Sequence, residues 1–412
     1  MADGLRLIDP RAYAEGGYPH AEWRQLRERP LTYFDAEGWQ SFWAIVKHAD
    51  VIEVSKQPER FLNAPGMTLI RKREESGTGS FMQMRTVINM DQPDHRKYRK
   101  VASPWFTPRA LGRLDPLVKA TARQLVDSLG REGDCDFIQT VASIHPLKVI
   151  ARILGVPERD EPFILKITNE LFGAEDPEFQ RSDDFLEHRK ALGMDFFDYF
   201  TKLLEDRRRA PQDDLISVIA NARIDGQPMG VMETMGYCLI TFTAGHETTR
   251  GGIGGGMLAL LEHPEQRARL ARRPELTARA VDELIRYVTP VNHMVRTAAE
   301  DYPLRGSRIR KGDKLVIFYA SANRDEEVFE APDELRLDRD PNPHLAFGVG
   351  EHFCLGSHLA RKTTGSLLAE LVPRLEHVEL AGTPQRTASN LVPGLKHLPI
   401  RYRIRPAAPA AG

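Results

Sequence analysis

The residues with the clearest chemical potential lie in the stretch HLAFGVGEHFCLGSHLAR, residues 344–361. Cys354 stands between Gly350 and Gly356, and the sequence after it is apolar at intervals of three and four residues, which predicts a helix beginning at or just after the cysteine. The unpaired N–H groups and positive dipole end of a helix N-terminus favour a thiolate over a thiol. A flat, glycine-flanked loop that presents one thiolate suits an axial ligand of haem iron.

Two other roles fit a cysteine in this position. It could be an ordinary buried cysteine in a glycine-rich turn, or it could form a zinc site with His352 and His358. A structural zinc site uses four closely placed ligands, usually including several cysteines. The other cysteines, Cys135 and Cys238, are far away in the sequence, so the zinc site is disfavoured. The loop alone does not decide between the haem ligand and the buried cysteine.

The loop resembles the cysteine-ligand loop of the cytochrome P-450 superfamily, the haem-thiolate monooxygenases. Phe347, Gly350, Cys354 and Gly356 occupy the fixed positions of the family pattern FxxGxxxCxG. The resemblance implies a haem b whose iron is bound by Cys354. The loop residues that would contact this cofactor are Phe347, Gly348, His352 and Gly356.

A long helix is predicted from about residue 230 to residue 263, where Pro264 ends it. The five glycines between positions 251 and 256 and the polar patch HETT are costly in a helix, at about 1 kcal/mol per glycine relative to alanine. Residues 244–249, AGHETT, resemble the family pattern (A/G)Gx(D/E)T. The resemblance implies that Ala244 and Gly245 lie against the haem, and that Glu247 and Thr248 are the catalytic pair.

The chemistry of this pair follows from its position on the helix. The hydroxyl of Thr248 can donate to the carbonyl of Ala244 one turn earlier, which would open the helix locally and leave a polar notch for dioxygen and water. Glu247 would connect this notch to solvent. We expect Thr248 and Glu247 to organise proton delivery.

Basic residues in two other places match the positions that bind haem propionates in the family. His95 and Arg99 are four residues apart, so they share one face of a predicted helix, and they resemble the family's HxxxR pattern. Arg296 matches the propionate-binding arginine of a later segment. Arginine suits this role because its planar fork matches a carboxylate.

Glu283 and Arg286 form an ExxR pair on another predicted helix. Alone, such a spacing is almost uninformative, because a surface ion pair at i,i+3 contributes little. Its place between the acid–threonine helix and the cysteine loop makes it resemble the family's structural triad. The third member would be Arg339, and the triad would lock the cysteine loop.

The resemblance also predicts a substrate pocket. Residues 61–90 have no sustained periodicity and would cover the distal face of the haem, while a hairpin turn near Pro393 and Gly394 would touch substrate. Asn292 and His293 could anchor one polar group. The expected pocket residues are mostly apolar: Met82, Met84, Leu239, Phe242, Val291, Asn292, Met294, Leu391 and Val392.

Composition bounds the rest of the prediction. The 412 residues are 41% hydrophobic and 28% charged with a formal net charge of −1, which fits a globular protein and argues against bulk nucleic-acid binding. Neither a signal peptide nor an 18-residue apolar run is found, so we expect a cytoplasmic protein without a membrane anchor. The predicted fold is mostly α with small β-sheets (α+β), the cytochrome P-450 fold. It would form one domain over residues 1–405, with a disordered tail at 406–412.

The resemblance implies a monooxygenase that uses dioxygen and two electrons to hydroxylate an apolar small molecule, with a terpenoid or steroid favoured. Electrons from NAD(P)H would arrive through a separate ferredoxin reductase and ferredoxin, and the protein would be a monomer. A haem-thiolate peroxygenase and a non-catalytic haem sensor remain as alternatives. A basic landing patch for an acidic ferredoxin is predicted at Arg96, Lys97, Lys100 and Lys362.

Overall fold

The protein folds mainly into α-helices with small β-sheets, as predicted. The computed structural model describes residues 4–72, 84–182 and 184–406, without the side chain of residue 185. The α-helices are α1 (Pro10–Gly16), α2 (His20–Arg27), α3 (His48–Ser55), α4 (Asp94–Ala102), α5 (Pro108–Gly112), α6 (Asp115–Ser128), α7 (Ile144–Leu154), α8 (Glu161–Phe172), α9 (Phe185–Arg209), α10 (Leu215–Ala220), α11 (Val231–Glu262), α12 (Pro264–Arg272), α13 (Thr277–Val288), α14 (Tyr319–Ala322) and α15 (Ser357–Leu371).

The strands are short and are distributed along the chain. They are β1 (Thr32–Phe34), β2 (Phe42–Ile45), β3 (Phe61–Leu62), β4 (Glu132–Asp136), β5 (Arg223–Ile224), β6 (Gln227–Pro228), β7 (His293–Ala298), β8 (Tyr302–Leu304), β9 (Ser307–Ile309), β10 (Lys314–Phe318), β11 (Leu375–Leu380), β12 (Gln385–Arg386), β13 (Leu395–His397) and β14 (Pro399–Ile404). A π-helical turn, Ile138–Ala142, precedes α7.

Helix α11 is the central element, and α7, α13 and α15 pack against it. Its 32 residues span about 48 Å at 1.5 Å per residue. Packing explains two of the costly glycines predicted in this helix. A Cβ on Gly254 would lie 2.4 Å from Cδ1 of Ile138, and a Cβ on Gly255 would lie 2.6 Å from Cγ1 of Val288. Neighbouring elements therefore approach closer than an alanine would allow.

A five-stranded sheet, in the order β1-β2-β10-β7-β3, flanks the helices. Strand β10 runs parallel to β2 and antiparallel to β7, with Leu315 opposite Arg296. Since side chains alternate between the two faces of a strand, Met294 and Arg296 of β7 share one face. Both residues line the large internal cavity of the protein. The sheet thus positions two of the predicted site residues.

A second sheet, in the order β11-β14-β4, closes the other side of the molecule. Residues 108–228 are mainly helical, but they include β4, which pairs with β14. The predicted hairpin is also displaced, because β13 pairs with β12 and the turn between them covers residues 387–394. Among the described residues, no helix combines the length and hydropathy that a membrane span requires.

Glu283 on α13 connects the helical core to the chain that precedes the cysteine loop. Its carboxylate accepts from Arg286 Nε and Nη2, both at 2.8 Å, and from Arg339 Nε at 3.0 Å. It also accepts the backbone N–H of Arg336 at 2.9 Å. Arg286 in turn donates to the carbonyl of Asn323 at 2.8 Å, while the side-chain oxygen of Asn323 accepts the N–H of Leu345 at 2.6 Å.

These contacts occur away from water, since the side chains of Glu283 and Arg286 are 0% exposed. Removing one member of such a group leaves the other charges buried and unpaired. We predict that Glu283→Ala lowers the free energy of unfolding by about 3–5 kcal/mol, measured by chemical denaturation of the purified protein. Asp338→Ala is the matched control, because Asp338 pairs with Arg269 at a half-exposed site and should cost less than about 1 kcal/mol. Equal losses in the two variants would contradict a structural role for Glu283.

Candidate functional site

A cavity of about 2120 Å³ separates α11 from the loop that carries Cys354. One wall is formed by the middle of α11, and the opposite wall by Phe347, Gly348, Cys354 and Gly356. The cavity extends outward between α8, α9 and the turn before β13. It therefore brings together the two motifs that the sequence analysis identified separately.

The cysteine loop is folded tightly under the cavity. The N–H of Cys354 donates to the carbonyl of Phe347 at 2.9 Å. Gly348 and Gly350 adopt φ angles of 70° and 81°, which side chains disfavour, and a Cβ on Gly350 would lie 2.5 Å from the carbonyl oxygen of Ser55. Helix α15 begins at Ser357, as predicted. The thiol is consequently held at one defined position below the cavity.

The electrostatics of Cys354 differ from the expectation of a favoured thiolate. Burial raises the pKa of this thiol, although the Gly356 N–H and the charges of Arg99 and Arg361 act in the opposite direction. Without a bound metal ion, desolvation therefore has a larger effect on the pKa of Cys354 than the helix N-terminus has. A metal ion bonded to the sulfur would supply the missing positive charge.

The facing wall of α11 is formed by Ala244, Gly245 and Thr248. Thr248 Oγ1 donates to the carbonyl of Ala244 at 2.8 Å, which is the predicted bond. The predicted local opening is not found, because α11 is continuous from Val231 to Glu262. A Cβ on Gly245 would lie 2.7 Å from Cδ1 of Ile150. The glycine therefore makes room for Ile150 of α7, and not for the haem as we expected.

Glu247 does not connect Thr248 to solvent as we predicted. It is 0% exposed, it does not line the cavity, and its Oε1 pairs with Nη2 of Arg250 at 2.5 Å. Nη1 of Arg250 donates to Oδ1 of Asn169 on α8 at 2.6 Å. Burial raises the pKa of Glu247, while the charge of Arg250 lowers it. Oε2 of Glu247 and Nε of Arg250 are buried without a hydrogen-bond partner.

The edge of the cavity carries a cluster of basic side chains. Arg99, Arg296 and His352 line it, and neither arginine has a carboxylate partner among the described residues. His95 lies behind His352, with the two rings stacked at 3.9 Å and Nε2 of His95 buried without a partner. Burial and the charge of Arg99 lower the pKa of His95, and burial and His95 lower the pKa of His352 to about 2. Both imidazoles are therefore neutral.

These features together fit a haem. The cavity has one soft donor, Cys354, on one wall and a helix surface of small residues on the other. Its edge has two arginines that lack acidic partners in the described part of the chain, and the buried one, Arg296, requires a counter-charge. The two carboxylates of a haem would supply it. Within the described part of the chain, no cluster of three or more His, Cys, Asp or Glu side chains offers a different metal site.

The predicted substrate residues divide into three groups. The cavity is lined by Met84, Leu239, Val291, Met294, Leu391 and Val392, whereas Met82 lies outside the described residues. Phe242 and Asn292 do not line the cavity. Phe242 is fully buried beside Phe200, and the amide of Asn292 donates to Tyr13 Oη at 2.8 Å and to the carbonyl of Asn390 at 2.9 Å.

The predictions for neighbouring residues can also be compared with the lining of the cavity. His293, the second expected polar anchor, is fully buried and does not line the cavity. Pro393 and Gly394 do not line it either, because residues 388–392 of the same turn do. Sequence reasoning missed the contributions of α8 and α9, such as Leu171 and Phe197. Their apolar character was visible, but it did not distinguish a cavity wall from a packed core.

Comparisons with known proteins agree with this geometry. The family model described as cytochrome P450 matches residues 36–402. The chain is 37% identical to cytochrome P450-terp of a Pseudomonas species over 96% of both chains. It is 35% identical to the steroid C26-monooxygenase of Mycobacterium tuberculosis, with 98% of this chain and 94% of the relative covered.

Two further matches extend the comparison. The chain is 35% identical to the linalool 8-monooxygenase of Pseudomonas putida, with 95% of this chain and 97% of the relative covered. Its structure matches the crystal structure of CYP108D1 from Novosphingobium aromaticivorans with a TM-score of 0.87, at 37% identity and with 98% of each chain covered.

Proposed function

Because the chain belongs to the cytochrome P450 family, we propose that it hydroxylates an apolar isoprenoid, a terpenoid or a steroid, with electrons from a ferredoxin. The family makes it a haem-dependent monooxygenase, which is an oxidoreductase. One observation carries the finer proposal: Cys354 and Thr248 line opposite walls of a single cavity whose extension is mainly apolar.

The residues of this chain divide the work of holding the cofactor. Cys354 would bind the iron, Arg99 and Arg296 would pair with the propionates, and His352 would donate to a propionate with His95 stacked behind it. When bound, the haem supplies the activation of dioxygen, in which a thiolate ligand favours O–O cleavage. Ala244 leaves room on the distal wall, because it has no side chain beyond Cβ.

The protein must also deliver protons to the distal wall. We assign this task to Thr248, which lines the cavity on α11 and can exchange its bond to Ala244 for a bond to water. Glu247 can take part only when its side chain leaves Arg250, because the ion pair is fully buried. Asn169 connects this ion pair to α8, a wall of the cavity. Proton supply would thereby depend on the position of α8.

We predict that Thr248→Ala uncouples the reaction. Haem content and substrate binding should persist, because alanine is the better helix former and the lost hydroxyl bonds only its own helix. NAD(P)H consumption with a surrogate ferredoxin and reductase should continue, while peroxide rises and hydroxylated product falls by about tenfold or more. The measurement is the amount of product and of peroxide per NAD(P)H consumed.

Thr234→Ala is the matched control, since Thr234 makes the same type of bond to Gly230 at 2.7 Å and does not line the cavity. If Thr248→Ala forms product as efficiently as this control, protons reach the site by another route. Full turnover of the parent protein with hydrogen peroxide alone would instead support the peroxygenase alternative.

The substrate class follows from the cavity wall and from the relatives. Leu239, Val291 and Leu391 present branched apolar surface, so binding relies on buried area and shape. Arg71 at the rim pairs with Glu175 at 2.5 Å, so its charge already has a counter-charge within the protein. The names of the relatives include linalool and steroid substrates. These observations support an isoprenoid substrate.

We predict that linalool or a C27 steroid ketone shifts the haem spectrum to high spin at concentrations at least roughly tenfold below those required for palmitic acid, a difference of about 1.4 kcal/mol. Leu391→Phe should weaken binding of the steroid more than of linalool, because it narrows the cavity. Leu380→Phe, on the exposed strand β11, is the control. Tighter binding of palmitic acid would contradict the isoprenoid class and would point to Lys190, an exposed cation at the rim.

The predicted landing patch for a ferredoxin needs revision. Arg96 pairs with Glu351 at 3.8 Å, Lys97 pairs with Asp225, and Lys362 pairs with Asp115. Lys100 is exposed and has no carboxylate partner among the described residues. Phe353, next to the cysteine ligand, is 41% exposed. We propose that Lys100 and Phe353 form the centre of the donor site, with exposed Arg109 and Arg113 of the α5 region beside them.

We predict that Lys100→Glu slows reduction by an acidic ferredoxin roughly three- to tenfold at low salt, and that the difference shrinks as ionic strength approaches about 0.5 M. Stopped-flow formation of the ferrous carbonyl complex measures the rate. Lys202→Glu, an exposed lysine on α9, is the control with the same charge change. Equal effects of the two variants would mean that only net charge matters and would remove Lys100 from the site.

A further inference from the structure

Residues 173–182, which follow α8, form a cover segment over the cavity. Ala174 and Glu175 of this segment line the cavity. Asp176 is 1% exposed, and its Oδ2 accepts the backbone N–H of Ala388 at 2.9 Å. Ala388 is the first residue of the turn between β12 and β13 that lines the cavity. The cover segment is therefore attached directly to the wall that it closes against.

His397, at the end of β13, sits between two carboxylates. Its Nδ1 faces Oδ2 of Asp136, and its Nε2 faces Oε1 of Glu178 at 2.9 Å. Glu178 belongs to the cover segment, whereas Asp136 ends strand β4. A neutral imidazole has only one N–H, so only the imidazolium can donate to both carboxylates at once. The geometry thus requires a charged His397.

The Asp136 side of this contact is fixed. Its Oδ1 accepts the backbone N–H groups of Ile138 and Leu398, both at 3.0 Å. The carboxylate of Glu178 also pairs with Lys396, whose Nζ lies 3.1 Å from its Oε2. The same Nζ lies 2.8 Å from Oδ1 of Asp176. Loss of the bond from His397 would therefore loosen the Glu178 end of the cover segment and leave the sheet in place, while Asp176 stays bonded to Ala388 and Lys396.

We propose that His397 is a positioning residue that, as an imidazolium, clamps the cover segment onto the β4–β13 junction and thereby controls entry to the cavity. The role of the cavity as a substrate site rests on the proposed function. The clamp itself depends only on His397, Asp136 and Glu178. Its chemistry predicts a cover that is closed at low pH and loosened at high pH.

The sign of this pH dependence follows from the charges. Burial alone would lower the pKa of His397, but the hydrogen bond to Asp136 and the charge of Glu178 outweigh it and raise the pKa above its ordinary value. The clamp is complete below the ordinary pKa of histidine, and it is lost as the pH rises through the raised value. Burial alone would lower the pKa of Lys396, but its hydrogen bonds to Asp176 and Glu178 outweigh it and raise the pKa, so Lys396 stays charged in this range and does not cause the change.

Hydrogen–deuterium exchange of the full-length protein tests the clamp without any ligand. Protection factors of amides in residues 174–180, corrected for intrinsic exchange, should fall roughly three- to tenfold between about pH 6 and about pH 8.5. In His397→Gln they should be low at both pH values. Glu178→Gln should give the same low values, and it leaves the contact between His397 and Asp136 intact. This second variant keeps the test available if His397→Gln does not fold.

His377→Gln is the matched control, because His377 contacts Glu379 at 3.4 Å on the exposed strand β11, away from the cover segment. It should retain the pH dependence of the parent protein. Protection that is independent of pH in the parent, or a pH dependence that persists in His397→Gln, would overturn the clamp.

Entry is measured separately, with 4-phenylpyridine as an uncharged probe that binds haem iron. Its association rate in stopped flow should increase with pH in the parent and should be high throughout in His397→Gln. An unchanged rate alongside a normal exchange result would overturn the cover segment as the entry route. Failure of the probe to bind at all would instead contradict the haem site of the proposed function, and the exchange measurement would still test the clamp.

Discussion

A buried carboxylate, that of Glu283, is the interaction on which the cysteine side of the cavity depends. It collects two guanidinium groups and a backbone N–H at a site without water, so each partner is needed to offset the desolvation of the others. Arg286 also donates to the carbonyl of Asn323. The side-chain oxygen of Asn323 accepts the N–H of Leu345, which lies at the start of the cysteine loop. The chain that leads to Cys354 is therefore positioned by a charge cluster whose members Glu283 and Arg286 do not line the cavity.

The two sides of the cavity are built with different strengths of interaction. The side of Cys354 is held by fully buried charges and by glycines that allow close backbone contact. The side of residues 173–182 is held by partly exposed ion pairs, such as Arg71 with Glu175, and by the buried Asp176, which accepts the N–H of Ala388 and pairs with Lys396. Partly exposed ion pairs contribute less than about 1 kcal/mol each, so we expect this side to open at a lower cost in free energy than the side of Cys354. A rigidly held cysteine loop and the proposed releasable cover are compatible for this reason.

Sequence reasoning succeeded where chemistry requires local spacing. Cys354 and Thr248 line one cavity and Glu283 pairs with Arg286, as positions a few residues apart had indicated, and the long helix follows from its apolar pattern. It failed where the partner is distant. Asn292 was wrongly assigned to the pocket, because its partner Tyr13 is 279 residues away and local spacing does not reveal it.

Glu247 illustrates the same limit on a helix. Its spacing to Arg250 was visible, but the orientation of both side chains away from the cavity depends on Asn169, 81 residues from Arg250. Strand β4 was missed for an equivalent reason, because it exists through pairing with β14 near the other end of the chain. Local patterns predict which groups carry chemistry, and long-range packing decides which way they point.

The close packing behind α11 has a consequence for how this enzyme can diversify. A Cβ at Gly254 or Gly255 would lie within 2.6 Å of a side-chain carbon of Ile138 or Val288, so an alanine at either position requires that neighbour to shift. The turn at residues 388–392 carries no such restriction at Leu391, whose side chain borders open space. Mutant libraries aimed at new substrates should therefore sample this turn and leave the helix unchanged. Substitutions at this turn would change the cavity lining without changing α11, although Leu239 of α11 also lines the cavity.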